Sequence, residues 1–110
     1  MFRLDLDSIT VSRDEFAAAL REEGIPCGSG YIPVPIYMES VFANKSFFPG
    51  NVWPAELIAK QTYQYGQGLC AVAEHVLETA ITLQVKECFT EQDIQDMGAG
   101  VMKVAKAFHK

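Results

Sequence analysis

Two segments of the chain alternate apolar and polar residues, the pattern of a strand with one buried and one wet face. In the first, Phe2, Leu4 and Leu6 alternate with charged residues, and the second is the segment 81–86. We therefore predict strands at both places. The wet face of the first strand would carry Arg3, Asp5 and Asp7.

A third strand is expected at 25–31. It contains Pro26 and the run Gly28-Ser29-Gly30, which suit a sheet edge or a close approach of a ligand or backbone. This run is not a dinucleotide-binding loop, because the spacing GxGxxG would require glycine where Pro33 stands.

The first helix is expected from about 13 to 23. Ser12 and Glu15 have the spacing of a capping box, and Val11 and Phe16 have the spacing of a hydrophobic staple. Gly24 stands where a left-handed residue would end the helix in a Schellman motif.

The final helix has the same kind of start, with Thr90 as its N-cap and a Phe89–Ile94 staple. Gly98 and Gly100 lie inside it, and we expect close backbone approach to a neighbouring element as compensation. Its buried face is predicted from spacings of three and four residues: Ile94, Met97, Val101, Val104 and Phe108.

Another helix is expected at about 69–79, and a short one is possible where Pro54 would occupy a first turn. The apolar face of the 69–79 helix is predicted to be Leu69, Val72, Ala73, Val76 and Ala80. The order is β-α-β, a long irregular segment, then α-β-α. This predicts an α+β, two-layer fold in which helices cover one face of a small, mostly antiparallel sheet.

The irregular segment 32–68 holds four of the five prolines. Eight of the twelve aromatic residues lie between 31 and 65, which argues against disorder. Such a concentration of rings needs a surface to cover it. The segment either folds onto its own sheet or packs against another domain or subunit, and we expect the isolated chain to self-associate through it.

Composition narrows the class of protein. At 110 residues, 49% hydrophobic and 21% charged, the chain is expected to be one soluble globular domain. A net charge of −5 with scattered lysines and arginines argues against nucleic acid. We expect no membrane span and no secretory signal. Cys27, Cys70 and Cys88 lack CxxC spacing and predict buried, reduced thiols in a cytoplasmic protein.

No catalytic or metal-binding constellation is predicted. His75 and His109 have no ligand spacing with each other or with a cysteine. A Cys–His nucleophilic pair would require the fold to place Cys27 or Cys88 next to His75.

The segment 24–37, Gly-Ile-Pro-Cys-Gly-Ser-Gly-Tyr-Ile-Pro-Val-Pro-Ile-Tyr, resembles the small domain of the pyridoxal-phosphate-dependent sugar and aminocyclitol aminotransferases of the DegT/StrS class. In that family this segment also follows a capped helix. The likeness continues in Ala73-Glu74, in Ile81-Thr82-Leu83 and in the capped segment 89–94. It covers nearly all 110 residues in order.

The resemblance implies the C-terminal domain of an aspartate-aminotransferase-type fold (fold type I). The full enzyme would move an amino group from glutamate or glutamine to a keto sugar or keto-cyclitol. Pyridoxal phosphate and its lysine would belong to a large domain absent from this chain, and the complete protein would be a homodimer. The chain's own lysines are then expected to be solvated surface residues and not the cofactor's: Lys45, Lys60, Lys86, Lys103, Lys106 and Lys110.

By resemblance, the stretch that reaches the mouth of the substrate pocket carries Gly30, Tyr31, Pro33, Pro35 and Tyr37. Family members often have a histidine near these positions. Because the chain begins directly in a strand pattern, we expect it to be part of a longer polypeptide that is inactive without the rest. The alternative is a free-standing, non-catalytic α+β binding or interaction module.

Overall fold

The computed structural model describes residues 1–110, apart from the side chain of Asn51. The three strands are β1 (Phe2–Arg3), β2 (Cys27–Ser29) and β3 (Ala80–Leu83). The five α-helices are α1 (Arg13–Glu22), α2 (Ser40–Ala43), α3 (Pro54–Ala59), α4 (Ala71–Thr79) and α5 (Glu91–Phe108). Single 3₁₀ turns lie at Ile36–Met38 and Pro49–Asn51. The helix predicted to begin at Pro54 is therefore present.

The chain divides into two compact units. The first comprises residues 1–31 and 78–110, and the second comprises 32–77. All three strands lie in the first unit and form an antiparallel sheet in the order β1-β3-β2. In this unit α1 packs against β2 and β3, and α5 packs against α1. The prediction of an α+β fold with a small antiparallel sheet is confirmed.

The strands are shorter than predicted. β1 ends at Arg3 because the Asp5 carboxylate accepts hydrogen bonds from the Asp7 amide (3.1 Å) and the Ser8 hydroxyl (2.6 Å), which form a local turn. The placement of Asp5 and Asp7 on a wet strand face is therefore wrong. Leu4 nevertheless remains in the core.

The predicted edge position of the glycine run is confirmed, since β2 is an edge strand of the sheet, and a close approach by a side chain occurs at Gly28. This glycine is paired with Thr82, whose hydroxyl donates to the Gly28 carbonyl oxygen at 3.2 Å. A Cβ added to Gly28 would lie 3.0 Å from that hydroxyl oxygen.

Both predicted helix starts are confirmed as capping boxes, Ser12 with Glu15 and Thr90 with Asp93. The end of α1 is the predicted Schellman motif. Gly24 has a φ of 81°, and the Ile25 amide donates to the Leu20 carbonyl at 3.0 Å. This turn carries the chain directly towards β2.

The core of the first unit lies between α1, the sheet and one face of α5. Phe16, Leu20 and Ile81 are its largest fully buried apolar side chains. Two rings flank Phe16, with centroid distances of 6.5 Å to Phe2 and 6.1 Å to Phe108. From α5, Met97, Val101, Val104, Ala105 and Phe108 contribute to the core.

Two predictions about α5 need correction. Ile94 is 45% exposed and lies outside the core. Gly98 has no neighbour within 4 Å of the position a Cβ would take. Only Gly100 marks a close approach, since its added Cβ would lie 2.6 Å from Ile25 Cδ1.

The predicted apolar face of the 69–79 helix is wrong over its first part and is confirmed at Ala80, which is buried. Leu69 is 52% and Val72 78% exposed, and Ala73 is exposed as well. Burial begins only at the end of the helix, where Thr79 and Ala80 are covered. The periodicity identified an apolar stripe, but its first part, at Leu69, Val72 and Ala73, is left exposed.

The cysteine prediction holds at one position of three. Cys27 is buried, and its Sγ donates to the Ala17 carbonyl oxygen at 3.4 Å. Burial raises the pKa of this thiol. Cys70 and Cys88 are exposed, which corrects the expectation of buried thiols. All three are free. Among the described residues no helix has the length and apolar character needed to cross a membrane.

The two glycines of α5 should respond to alanine substitution in opposite ways. Gly98→Ala should raise the free energy of unfolding by up to ~1 kcal/mol, because alanine favours helix and the space is open. Gly100→Ala should lower it by about 1–2 kcal/mol, because the clash with buried Ile25 outweighs the helix preference. Urea unfolding measures both.

The clash explanation has its own control. In the Gly100→Ala background, Ile25→Val removes the Cδ1 atom and should cost less than Ile25→Val does in the natural chain. Equal effects of Gly98→Ala and Gly100→Ala would contradict this account of the helix packing.

Candidate functional site

The five residues predicted for a substrate pocket fall in both units. Gly30 and Tyr31 end the first half of the first unit, whereas Pro33, Pro35 and Tyr37 belong to the second. Gly30 has a φ of 77°, and its amide donates to the Ala80 carbonyl at 3.0 Å. Tyr31 is 80% exposed. This end of β2 is thus held firmly, and a large ring projects from the next residue into solvent.

Pro33 is exposed, whereas Pro35 is buried. The Pro35 carbonyl accepts from the Met38 amide at 2.8 Å and so forms the 3₁₀ turn that carries Tyr37. The fixed φ of proline suits it to the start of such a turn. The two prolines therefore differ in role: Pro35 anchors the turn and Pro33 lies at the surface.

The phenol of Tyr37 meets a carboxylate that sequence reasoning did not single out as a site residue. Tyr37 Oη donates to Glu74 Oε1 at 2.6 Å. The two Glu74 oxygens also accept from the Gly68 amide, at 2.8 and 2.9 Å. Gly68 can present its amide in this way because its φ is 90°. The pair joins the 3₁₀ turn to the first part of α4.

Partial burial and the hydrogen bond between the two side chains shift the pKa values of both Tyr37 and Glu74. Desolvation is the main cause that raises the pKa of Tyr37 to about 12, and the hydrogen bond to Glu74 adds to it. The same hydrogen bond is the main cause that lowers the pKa of Glu74, with the Gly68 amide contributing. At neutral pH the phenol is protonated and the carboxylate is ionised.

A second cluster in this unit is aromatic. Trp53 contacts Phe42 and Tyr65 edge-on, with centroid distances of 5.8 Å to each, and its Nε1 donates to Tyr65 Oη at 3.2 Å. Phe47 lies 6.3 Å from Trp53, and Tyr63 stacks on Tyr65 at 6.4 Å. Edge-on and offset contacts of this kind are favourable for aromatic pairs. None of these rings is fully buried.

Glu56 ties this aromatic cluster to the backbone. Its Oε1 accepts from Lys45 Nζ and from the Tyr63 amide, the latter at 2.8 Å. The Lys45 side chain is only 26% exposed, which corrects the expectation of a solvated lysine at that position. The hydrogen bond from Lys45, followed by that from Tyr63, holds the pKa of Glu56 below its ordinary value of 4.5.

The second unit leaves much apolar surface in solvent. Ile58 is 83% exposed, Leu57 69% and Phe47 59%. The large hydrophobic residues exposed in this unit are Ile32, Ile36, Phe47, Phe48, Val52, Leu57, Ile58, Leu69 and Val72. Large contiguous apolar patches on a protein surface mark interaction surfaces or binding grooves.

The acidic cavity of the first unit does not suit the phosphate group of pyridoxal phosphate. A cavity of about 220 Å³ in the first unit is lined by three carboxylates, Glu23, Asp93 and Asp96, which would repel a phosphate group. No lysine lines it, and Lys103 beside it is already paired with Glu23 at 2.7 Å. Across the described residues, no group of three or more His, Cys, Asp or Glu side chains could hold a metal ion.

Comparison with protein-family models, curated proteins and solved structures finds no match to this chain.

Acid should loosen the aromatic cluster. The pKa of Glu56 in the folded chain lies below 4.5, so its stabilising contribution is complete above that pH and is lost as the pH falls through the lower, folded value. The emission of Trp53, the one tryptophan in the sequence, should shift to longer wavelength over this acidic range as the ring is hydrated.

Glu56→Gln should show the shifted emission already at neutral pH and a smaller change on acidification. Glu39→Gln, which alters an exposed carboxylate of the same unit, serves as the matched control. Identical acid profiles for Glu56→Gln and the natural chain would rule out this role for Glu56.

Proposed function

We propose that the chain is the C-terminal small domain of a pyridoxal-phosphate-dependent aminotransferase of the DegT/StrS class. The complete enzyme would transfer an amino group from glutamate or glutamine to a keto sugar or keto-cyclitol. The lysine and phosphate contacts of the cofactor would lie on a large domain outside this chain. We further propose that the complete protein is a cytoplasmic homodimer.

The observation that carries the proposal is the hydrogen bond between Tyr37 and Glu74. Tyr37 closes the segment 24–37, and Glu74 belongs to the Ala73-Glu74 pair. These are two of the separate stretches on which the family resemblance rests. Their hydrogen bond supports the resemblance, since each of the two stretches contributes one residue to the same polar pair.

In this proposal the chain supplies walls and hydrogen bonds, and the reacting centre lies on the large domain. The cofactor, when bound there, supplies the electron sink. The exposed rings and aliphatic side chains of the second unit would cover the site and exclude water. Tyr37 would bind a polar group of the substrate. No acid, base or nucleophile is required of this chain.

A free-standing interaction module remains the second candidate. It is favoured by the nine large apolar side chains that the second unit exposes, because such a surface suits a protein partner with or without catalysis. The coding sequence upstream of Met1 discriminates between the two. A continuous reading frame with a glycine-rich cofactor loop and a lysine-bearing large domain supports the aminotransferase, and a frame that starts at Met1 supports the module.

The isolated chain should neither bind pyridoxal phosphate specifically nor transaminate. The longer protein should do both, as measured by equilibrium dialysis and by amino transfer from glutamate to a panel of keto sugars. In the longer protein, Tyr37→Phe should lower kcat/KM by about tenfold, the value of one substrate hydrogen bond.

Tyr63→Phe is the control for that substitution, because the Tyr63 ring belongs to the aromatic cluster. Saturable cofactor binding by the isolated chain at one specific lysine would overturn the assignment of the cofactor site to another domain.

The isolated chain should also self-associate through the second unit. Ile58→Ser removes one of its most exposed apolar side chains and should shift the distribution towards monomer in light scattering. Met102→Ser, an equally simple change at an exposed position of α5, should leave the distribution unchanged. A strictly monomeric natural chain at high concentration would contradict this expectation.

A further inference from the structure

The single proton of the Tyr37 hydroxyl has one good acceptor. Glu74 Oε1 lies 2.6 Å from Tyr37 Oη, whereas the Cys70 carbonyl oxygen lies at 3.5 Å, the limit of a hydrogen bond. A short bond to an ionised carboxylate is also stronger than one between neutral groups. The Tyr37 proton is therefore committed to Glu74.

Glu74 is itself held in place. The Gly68 amide donates to both of its oxygens, so the carboxylate cannot turn away without losing a backbone hydrogen bond. Glu74 belongs to none of the ion pairs Arg13–Asp14, Lys45–Glu56 and Lys103–Glu23. Its negative charge is thus shared with two hydrogen-bond donors, the Tyr37 hydroxyl and the Gly68 amide.

A committed proton changes what Tyr37 can offer to a ligand. A phenol has one donor and lone pairs that accept, and here the donor is used. Glu74 is ionised and only accepts. Tyr37 and Glu74 are both half-buried, so each keeps part of its side chain exposed to solvent. Together they present acceptors and a negative charge, and no donor.

From this arrangement we propose that Tyr37 and Glu74 form an acceptor-only subsite for a hydrogen-bond donor of the substrate, either a hydroxyl of a polyol or the ammonium of an amino polyol. Glu74 acts as a positioning residue that fixes the direction of the Tyr37 hydroxyl. The polyol class rests on the proposed function, whereas the acceptor character rests on geometry alone.

The subsite should discriminate by charge. A phosphorylated or carboxylated sugar would place an anion beside Glu74 and be repelled. A neutral polyol can donate a hydroxyl, and an amino polyol gains attraction from the carboxylate as well. For three probes of similar size, we therefore expect the affinity to be highest for glucosamine, lower for myo-inositol and lowest for glucose 6-phosphate.

The positioning role is tested by the ionisation of Tyr37, followed with ¹³Cζ-labelled tyrosine in NMR and assigned with Tyr37→Phe. At a pH just above 10.0, Tyr37 should remain protonated in the natural chain, since its pKa is raised to about 12. In Glu74→Gln the pKa should fall part of the way towards 10.0, because the negative charge of Glu74 is removed while the desolvation that is the main cause of the shift remains, so the ionised share of Tyr37 at a given alkaline pH rises. Glu78→Gln, the same change on the same helix, should behave like the natural chain. An unchanged Tyr37 in Glu74→Gln would refute the positioning role.

The subsite is tested at neutral pH by titrating the 110-residue chain with the three probes and following the Tyr37 signal. Saturable shifts with glucosamine and myo-inositol, and none with glucose 6-phosphate, are expected. Glu74→Gln retains an acceptor for the Tyr37 proton but lacks the charge, and should lose at least half of the preference for glucosamine over myo-inositol. No saturable shift with either donor probe, or equal shifts with all three, would overturn the subsite.

This outcome is separable from that of the proposed function. If the upstream sequence encodes no large domain while the donor probes still bind at Tyr37, the aminotransferase assignment fails and the subsite stands. If the large domain is present and the longer protein transaminates, but no probe shifts the Tyr37 signal, the subsite fails and the assignment stands.

Discussion

The antiparallel pairing of β3 with strands on both sides is the constraint on which the fold depends. Ile81 on this strand is opposite Phe2 on one side and Ser29 on the other, and it is fully buried. The hydrogen bond from Gly30 to Ala80 adds a further link at the end of the pairing. The chain leaves the first unit after residue 31 and returns to it at residue 78. The pairing of β2 with β3 therefore holds together the two ends of the segment 32–77, which contains Tyr37 and Glu74.

The two units are stabilised by different kinds of contact. The first buries aliphatic and aromatic side chains around Phe16 in the ordinary manner of a small domain. In the second, edge-on ring contacts, the Glu56 hydrogen bonds and the Tyr37–Glu74 pair carry most of the organisation, and only Pro35 among the described side chains is fully buried. Regions with few buried apolar contacts open more easily than the core. The second unit is therefore expected to open more easily than the first.

Local sequence signals predicted the fold well where the interactions are local. The two capping boxes and the Schellman turn at Gly24 span at most six residues and could be located correctly. The apolar stripe at Leu69 and Val72 could not be placed, because periodicity identifies a face but not what covers it. Likewise Gly98 and Gly100 are equivalent in sequence, and only the packing of Ile25 separates them. Glu74 was missed as a site residue because its partner Tyr37 is 37 positions away in the chain.

The three thiols give the molecule built-in reporter positions. Cys27 is buried with a raised pKa and is expected to resist alkylation, whereas Cys70 and Cys88 are open to reagents. Cys70 belongs to the second unit and Cys88 to the first. A donor and an acceptor dye attached to these two sulfurs would therefore measure the distance between one position in each unit by energy transfer, without the introduction of a single foreign residue.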